Sequence, residues 1–180
     1  MSARRAAGPH RPAAPTLQED SPITTIGTCL WFDGRIDEAA EFYVSLVEDS
    51  RILQRTVYEA GGGPPDGPDM TGQALTVDLV LGGVPYTLLN GGPAFPLSEA
   101  VSIMLTVESQ EEVDRLWEAL IADGGAESQC GWCRDRFGLS WQVIPQRLNE
   151  LLQGPHAEAV TREMMTQTKL DVARLEAAAG

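Results

Sequence analysis

Two cysteines with two residues between them, Cys130-Gly131-Trp132-Cys133, are the part of this 180-residue chain whose type and spacing speak first of chemistry. A C-x-x-C pair can serve as a redox dithiol, as half of a zinc site, or as two packing cysteines. Redox activation needs a helix N-terminus or a nearby cation to lower a thiol pKa; Arg134 and Arg136 are the cations at hand, and the pair falls in a predicted hairpin. The same stretch continues Asp135-Arg136-Phe137-Gly138 and then places Ser140, Gln142 and Ile144 at alternate positions. That pattern describes a tight turn feeding a strand with one face toward a cavity. Asp135, followed three residues later by glycine, suits the closing of a turn better than general-base work.

Other candidate chemistry is sparse. The only histidines are His10, in a terminal segment, and His156, in a C-terminal one, so the central region has none. Gly61 to Gly72, GGGPPDGPDMTG, invites comparison with a phosphate cradle, but it has neither Walker spacing nor a strand-GxGxxG-helix context and reads as a loop. The net charge of -13 opposes a phosphate-backbone partner, which needs a basic footprint. No apolar run reaches the roughly 20 residues of a membrane span, and none near the N-terminus has the form of a signal peptide. Three cysteines without an export signal point to reduced thiols and a cytoplasmic protein with neither nucleic-acid nor membrane partners.

The elements that must position these residues follow from periodicity. Residues 1–21, rich in Ala, Pro and Arg, read as a disordered tail. Ile23 to Phe32 reads as a strand and Ile36 to Val47 as a helix; Arg51 to Glu59, Leu75 to Leu81 and Val84 to Leu89 are strands, the last two joined by Gly82-Gly83. The order then repeats: a strand over Ala100 to Val107, a helix over Glu111 to Ala122, and short strands around Glu127 to Trp132, Arg134 to Phe137 and Leu139 to Ile144. The helices match at an offset of 74, with Phe42-Tyr43 against Leu116-Trp117 and Leu46 against Leu120. This gives an α+β chain of two β-α-β-β-β modules, residues 22–93 and 99–145 within a domain spanning 22–145, and a helical extension over 146–180. In the extension, Gln146 to Gln153 reads as a short helix and Ala157 to Ala178 as one long helix, with Met165, Thr168, Val172 and Leu175 on one face.

Paired modules containing LWFDGRIDEAAEFYVSL, LNGGPAF and QCGWCRDRFGLSWQVIP resemble the PhnB-like proteins of the vicinal oxygen chelate superfamily, over roughly Ile23 to Pro145. The resemblance implies the glyoxalase/bleomycin resistance/dioxygenase fold, in which curled mixed sheets enclose a shared cavity, usually in a homodimer. In metal-using members four side chains on the first and last strands of the modules hold a cation. Carried onto this chain, those positions are Gly27, Thr87, Ser102 and Gln142, a set without carboxylate, imidazole or thiolate. Neutral oxygens and amides alone repay a divalent cation's dehydration poorly, so neither metal nor other cofactor is expected.

Strand alternation then places Gly27, Cys29 and Trp31, Ser102, Met104 and Thr106, and Ser140, Gln142 and Ile144 on the cavity side. Asn90 and Gln142 are candidates to orient a ligand, with Trp31 and Phe95 as aromatic walls; the competing reading makes Asn90 a turn former and has Gln142 satisfy a buried polar neighbour. Relatives of this kind carry a 3-demethylubiquinone-9 3-methyltransferase label, yet no glycine-rich strand-to-helix turn suited to S-adenosylmethionine is present. Three functions remain open. One is metal-free binding of a small organic ligand; a second is an enzyme, either the labelled methyltransferase or a lyase or isomerase of glyoxalase type; a third is a dimeric scaffold or regulatory domain.

Overall fold

The computed structural model describes residues 26–63 and 67–180. The expected tail at 1–21 and the start of the expected first strand lie outside the described residues. The first module consists of β1 (Thr28–Phe32), α1 (Ile36–Leu46), β2 (Arg51–Val57), β3 (Ala74–Leu81) and β4 (Val84–Asn90). The second repeats it as β5 (Ser102–Val107), α2 (Gln110–Ile121), β6 (Ala126–Glu127), β7 (Trp132–Arg134) and β8 (Ser140–Pro145).

Each module forms one four-stranded mixed sheet, in the orders β1-β4-β3-β2 and β5-β8-β7-β6. The first strand of each runs parallel to the last, and the other pairs are antiparallel. Parallel neighbours cannot be joined by a tight turn, so each module needs its helix as a crossover. The α1 helix starts with Asp37 and Glu38 in its first turn, where carboxylates meet the positive end of the helix dipole. Ser109 caps α2 by accepting the Glu112 amide.

Alternation divides each sheet into two faces. Leu30, Phe32, Val77, Leu79 and Leu88 are buried beneath α1, and Ile103, Val107, Trp141 and Val143 are buried on the helix side of the second sheet. Cys29, Met104 and Thr106, one residue out of phase with these, are exposed. The helices bury matching positions at the offset of 74: Ala39 and Val113, Tyr43 and Trp117, Leu46 and Leu120. All belong to a single core that spans both modules.

The modules meet at one buried carboxylate. Asp135, 1% exposed, accepts hydrogen bonds from the Tyr43 hydroxyl of α1 at 2.8 Å, from Trp141 Nε1 at 2.8 Å, and from the amides of Phe137 at 2.8 Å and Leu139 at 3.0 Å. Tyr43 also lies edge-on to Trp141 and Phe137, with ring centroids 5.1 and 5.9 Å away. Above them the Arg136 guanidinium stacks 4.1 Å from the Phe42 ring and that of Arg35 4.7 Å from Phe137.

The second half of the chain departs from expectation in three places. Arg134 to Phe137 is not a strand: only Arg134 belongs to β7, because the Asp135 carboxylate folds residues 135–138 into a turn. The strand expected over Glu127 to Trp132 is likewise broken by a turn in which Cys130 and Gly131 both take positive φ, 58° and 84°. The single helix expected over Ala157 to Ala178 is two, α4 (Ala157–Met164) and α5 (Val172–Ala179), preceded by α3 (Gln146–Leu151).

The break between α4 and α5 has a tertiary cause. The carbonyls of Gln167 and Thr168 accept the Cys130 and Gly131 amides, each at 2.8 Å, so they are unavailable to a continuous helix. Gln110 of α2 bonds Leu170 O and the Val172 amide, and Asp171 restarts the helix as its N-cap. Met165 is consequently 60% exposed while Leu175 is buried, so the expected four-residue stripe is not one face. Ile144, expected in the cavity, instead packs with Leu148, Val160, Leu170 and Leu175 in a second, C-terminal core.

Two predictions follow from this packing. A Cβ at Gly131 would meet Leu170 Cδ1 and Val143 O at 2.9 Å in a left-handed conformation, whereas one at Gly72, also at positive φ, meets nothing within 4 Å. Gly131→Ala should therefore cost about 2–3 kcal/mol and Gly72→Ala about 1 kcal/mol in chemical denaturation; equal costs would contradict the clash. Second, burial raises the pKa of Tyr43 above its ordinary 10.0 and pushes that of Cys133 up to about 12 from 9.0. Folded protein then keeps protons that unfolded chain releases, so this stability is fully present below about pH 9 and falls as pH rises beyond it. Tyr43→Phe combined with Cys133→Ser should flatten the alkaline arm of the stability profile, measured from pH 8 to 11.

Candidate functional site

Opposite the helices, each sheet carries polar side chains in rows set by strand register. In the first sheet Cys29 pairs with Thr87, Thr87 with Asp78, and Asp78 with Gln54, giving one row across four strands. Thr87 donates to Asp78 Oδ1 at 2.6 Å. The Cys29 thiol is raised above its ordinary pKa, first by burial and then by the negative charge of Asp78. The next row holds Thr56, Thr76, Leu89 and Trp31, with the two threonine hydroxyls 2.7 Å apart.

In the second sheet Ser102, Ser140 and Arg134 form one row, and Met104, Gln142 and Trp132 the next. Gln142 Nε2 donates to Ser102 Oγ at 2.8 Å, joining the rows. Ser140 is 2% exposed and its hydroxyl has no hydrogen-bond partner. A buried hydroxyl without a partner is uncommon, because it forgoes water without replacement. Met104 is 60% exposed on the same side.

The remaining candidates lie around the strand ends. Gly27 is exposed just ahead of β1. Trp31 is fixed by its Nε1 donating to Gly92 O at 2.7 Å and by Gly91, where a Cβ would overlap the indole. Phe95, 65% exposed, stands edge-on to Trp31 at 5.0 Å. Asn90 lies three residues from Thr87 and so on the other side of β4, with Leu88. Its amide is spent on backbone, accepting from Gly34 N and donating to Ala74 O, both at 3.0 Å, which is the geometry of a turn former.

The structure thus joins Ser102 to Gln142 but keeps Thr87 and Cys29 on a different sheet. Two cavities take parts of the set. One, of about 340 Å³ between the modules, is lined by Met104 with Tyr86, Ile103, Arg115 and Trp141. Another, of about 360 Å³, is lined by Trp31, Phe95, Arg134 and Phe137.

Asp78 was missed by the sequence reading. Its signal was there: a lone carboxylate in the strand ALTVDLVL, at the parity that leaves the core. Even with Asp78, the donors do not suit a divalent cation. The four positions carried over from metal-using proteins supply a hydrogen, two hydroxyls and an amide, and among the described residues no group of three His, Cys, Asp or Glu side chains is arranged to hold a metal.

The C-x-x-C cysteines part company in the fold. Cys133, 2% exposed, belongs to the core, and its thiol is pushed up to about 12, first by burial and then by Asp135 and Glu127. Cys130 sits in the turn against the C-terminal segment, its sulfur 3.5 Å from Met165 Sδ. A dithiol needs one thiolate near neutral pH, and the buried partner is tuned the other way. The packing reading accounts for Cys133.

The family profile described as 3-demethylubiquinone-9 3-methyltransferase matches residues 24–144. Among solved structures, the PhnB protein from Bacillus cereus is similar at 28% identity and a TM-score of 0.58, over 68% of this chain and 99% of that one. A protein from Pseudomonas aeruginosa is similar at 26% identity and a TM-score of 0.51, over 68% of this chain and 98% of that one. No curated protein matches the sequence significantly. The profile spans both modules, and the chain belongs to the 3-demethylubiquinone-9 3-methyltransferase family, as a PhnB-like protein.

Proposed function

We propose that this protein binds a small organic ligand, without a metal ion, on the polar rows of its helix-free sheet faces, and does so as a cytoplasmic homodimer. The observation that carries the reading is the Ser102–Gln142 hydrogen bond beside the unpartnered Ser140 hydroxyl. Polar groups on an otherwise apolar strand are costly unless they are used, and these can donate to or accept from a ligand carbonyl, hydroxyl or amine. The Cys29–Thr87–Asp78 row offers the same service on the first sheet. A second copy of the chain is the partner that would bring such faces together and cover the edges of β1 and β5, which end their sheets. No described helix is long and apolar enough to cross a membrane.

The methyltransferase reading has less support. The connection from β1 to α1 is only Asp33-Gly34-Arg35, and the Gly34 amide already donates to Asn90 Oδ1. It lacks the glycine-rich turn that would cradle a nucleoside cofactor. A lyase or isomerase reading would rest on Asp78, the one carboxylate in the polar rows, as its proton acceptor.

A fragment screen by amide NMR tests the proposal. Binding should shift the amides of Thr87, Ser102 and Gln142, and Gln142→Ala should weaken the responding fragments about tenfold. Calorimetric titration with Mn(II) and Ni(II) should give no saturable binding below about the millimolar range, and S-adenosylmethionine none either. Micromolar metal binding would contradict the metal-free site, and fragment shifts confined to other surfaces would contradict its placement.

A further inference from the structure

The cavity of about 360 Å³ where the modules adjoin has one basic residue in its lining, Arg134. Its neighbour Arg136 is fully engaged, bonded to Asp123 and stacked on Phe42 and Phe137. Arg134 is exposed, and among the described residues no carboxylate pairs with it. Register puts it on the face away from buried Cys133, next to Ser140 and in line with Ser102. A free guanidinium and an unmet hydroxyl therefore occupy neighbouring places in one row.

The lining also holds the aromatic rings of Trp31 and Phe95. Trp31 is locked by the Gly92 carbonyl and by the absence of a side chain at Gly91, and Phe95 stands edge-on to it while 65% exposed. A rigid aromatic surface that needs no ordering on binding favours a flat apolar group. A guanidinium fork favours a planar, two-oxygen anion. Asp33, also in the lining, places a negative charge at the cavity and penalises a second anionic group.

We propose that this cavity takes an organic carboxylate with a flat apolar body, its carboxylate paired with Arg134 and its body laid against Trp31 and Phe95. The proposal rests on the ligand-binding reading above and adds to it the charge and shape of the ligand. Because Arg134 is open to water, the pairing weakens with added salt.

The test uses the full-length protein and two matched probes, 2-naphthoate and its neutral amide 2-naphthamide. Binding is read from the indole NH resonance of Trp31, assigned by its loss in Trp31→Phe. The acid should bind about ten times more tightly than the amide, and Arg134→Gln should bring the acid down to the amide's level while Arg134→Lys keeps part of the difference. Arg134→Gln should leave the melting temperature unchanged, which separates lost binding from lost folding. Equal binding of acid and amide, or unchanged naphthoate affinity in Arg134→Gln, would overturn the carboxylate assignment and leave ligand binding standing. If neither probe moves the Trp31 indole, the cavity is no ligand site and the carboxylate assignment falls with it; the polar-row reading is then judged separately by the amides of Thr87, Ser102 and Gln142.

Discussion

A buried carboxylate is the constraint on which this fold depends. Asp135 is sealed from water, no basic side chain pairs with it among the described residues, and its charge is met by four donors. Two of them, the amides of Phe137 and Leu139, come from its own turn; Trp141 comes from β8 and Tyr43 from the other module. An ionised group removed from water is tolerated only when its acceptor sites are filled, so the turn, the last strand and α1 must be in place together. Hydrogen bonds to a charged acceptor are worth about 1.5–3 kcal/mol each, and losing one leaves the others strained as well as fewer.

That clamp decides which surfaces are left over. By drawing α1 against the β7–β8 turn, it merges the helix-facing sides of both sheets into one core. The opposite faces are excluded from that core, and they hold the polar rows, the exposed methionine Met104 and the fixed tryptophan Trp31. The C-terminal helices cover the Ile144 end of β8 and are tied to α2 through Gln110 and through Lys169, which pairs with Asp114 at 2.6 Å. The main core and the polar rows thus sit on opposite sides of the same strands, while Ile144, on the Gln142 side of β8, belongs to the C-terminal core.

The sequence carried the repeat well because its signals are local. Helix periodicity, the offset of 74 between α1 and α2, and the alternation of Leu30 and Phe32 with Cys29 and Trp31 each need only neighbours along the chain. What it hid depends on contacts distant in sequence. Residues 165–171 carry no local sign of a break, and groups distant in sequence divert their carbonyls: the Cys130 and Gly131 amides, each 37 residues from its partner, and Gln110, 60 residues from Leu170. Asp135 announced a turn, as its bonds to Phe137 and Leu139 require, but nothing nearby named Tyr43, 92 residues upstream. Asn90 was legible either way, and its two backbone bonds favour the turn. Asp78 was legible from its parity in the strand, whereas Arg134 became visible as a site candidate only when strand register put it beside Ser140.

The clamp is tested most directly by a double-mutant cycle between Tyr43→Phe and Asp135→Asn, with each variant's stability taken from chemical denaturation. Direct coupling through a buried, charge-assisted hydrogen bond should appear as an interaction energy of about 2 kcal/mol, with all four proteins unfolding in a single transition. Additivity to within about 0.5 kcal/mol would show that the modules are held together without this bond and would contradict the account.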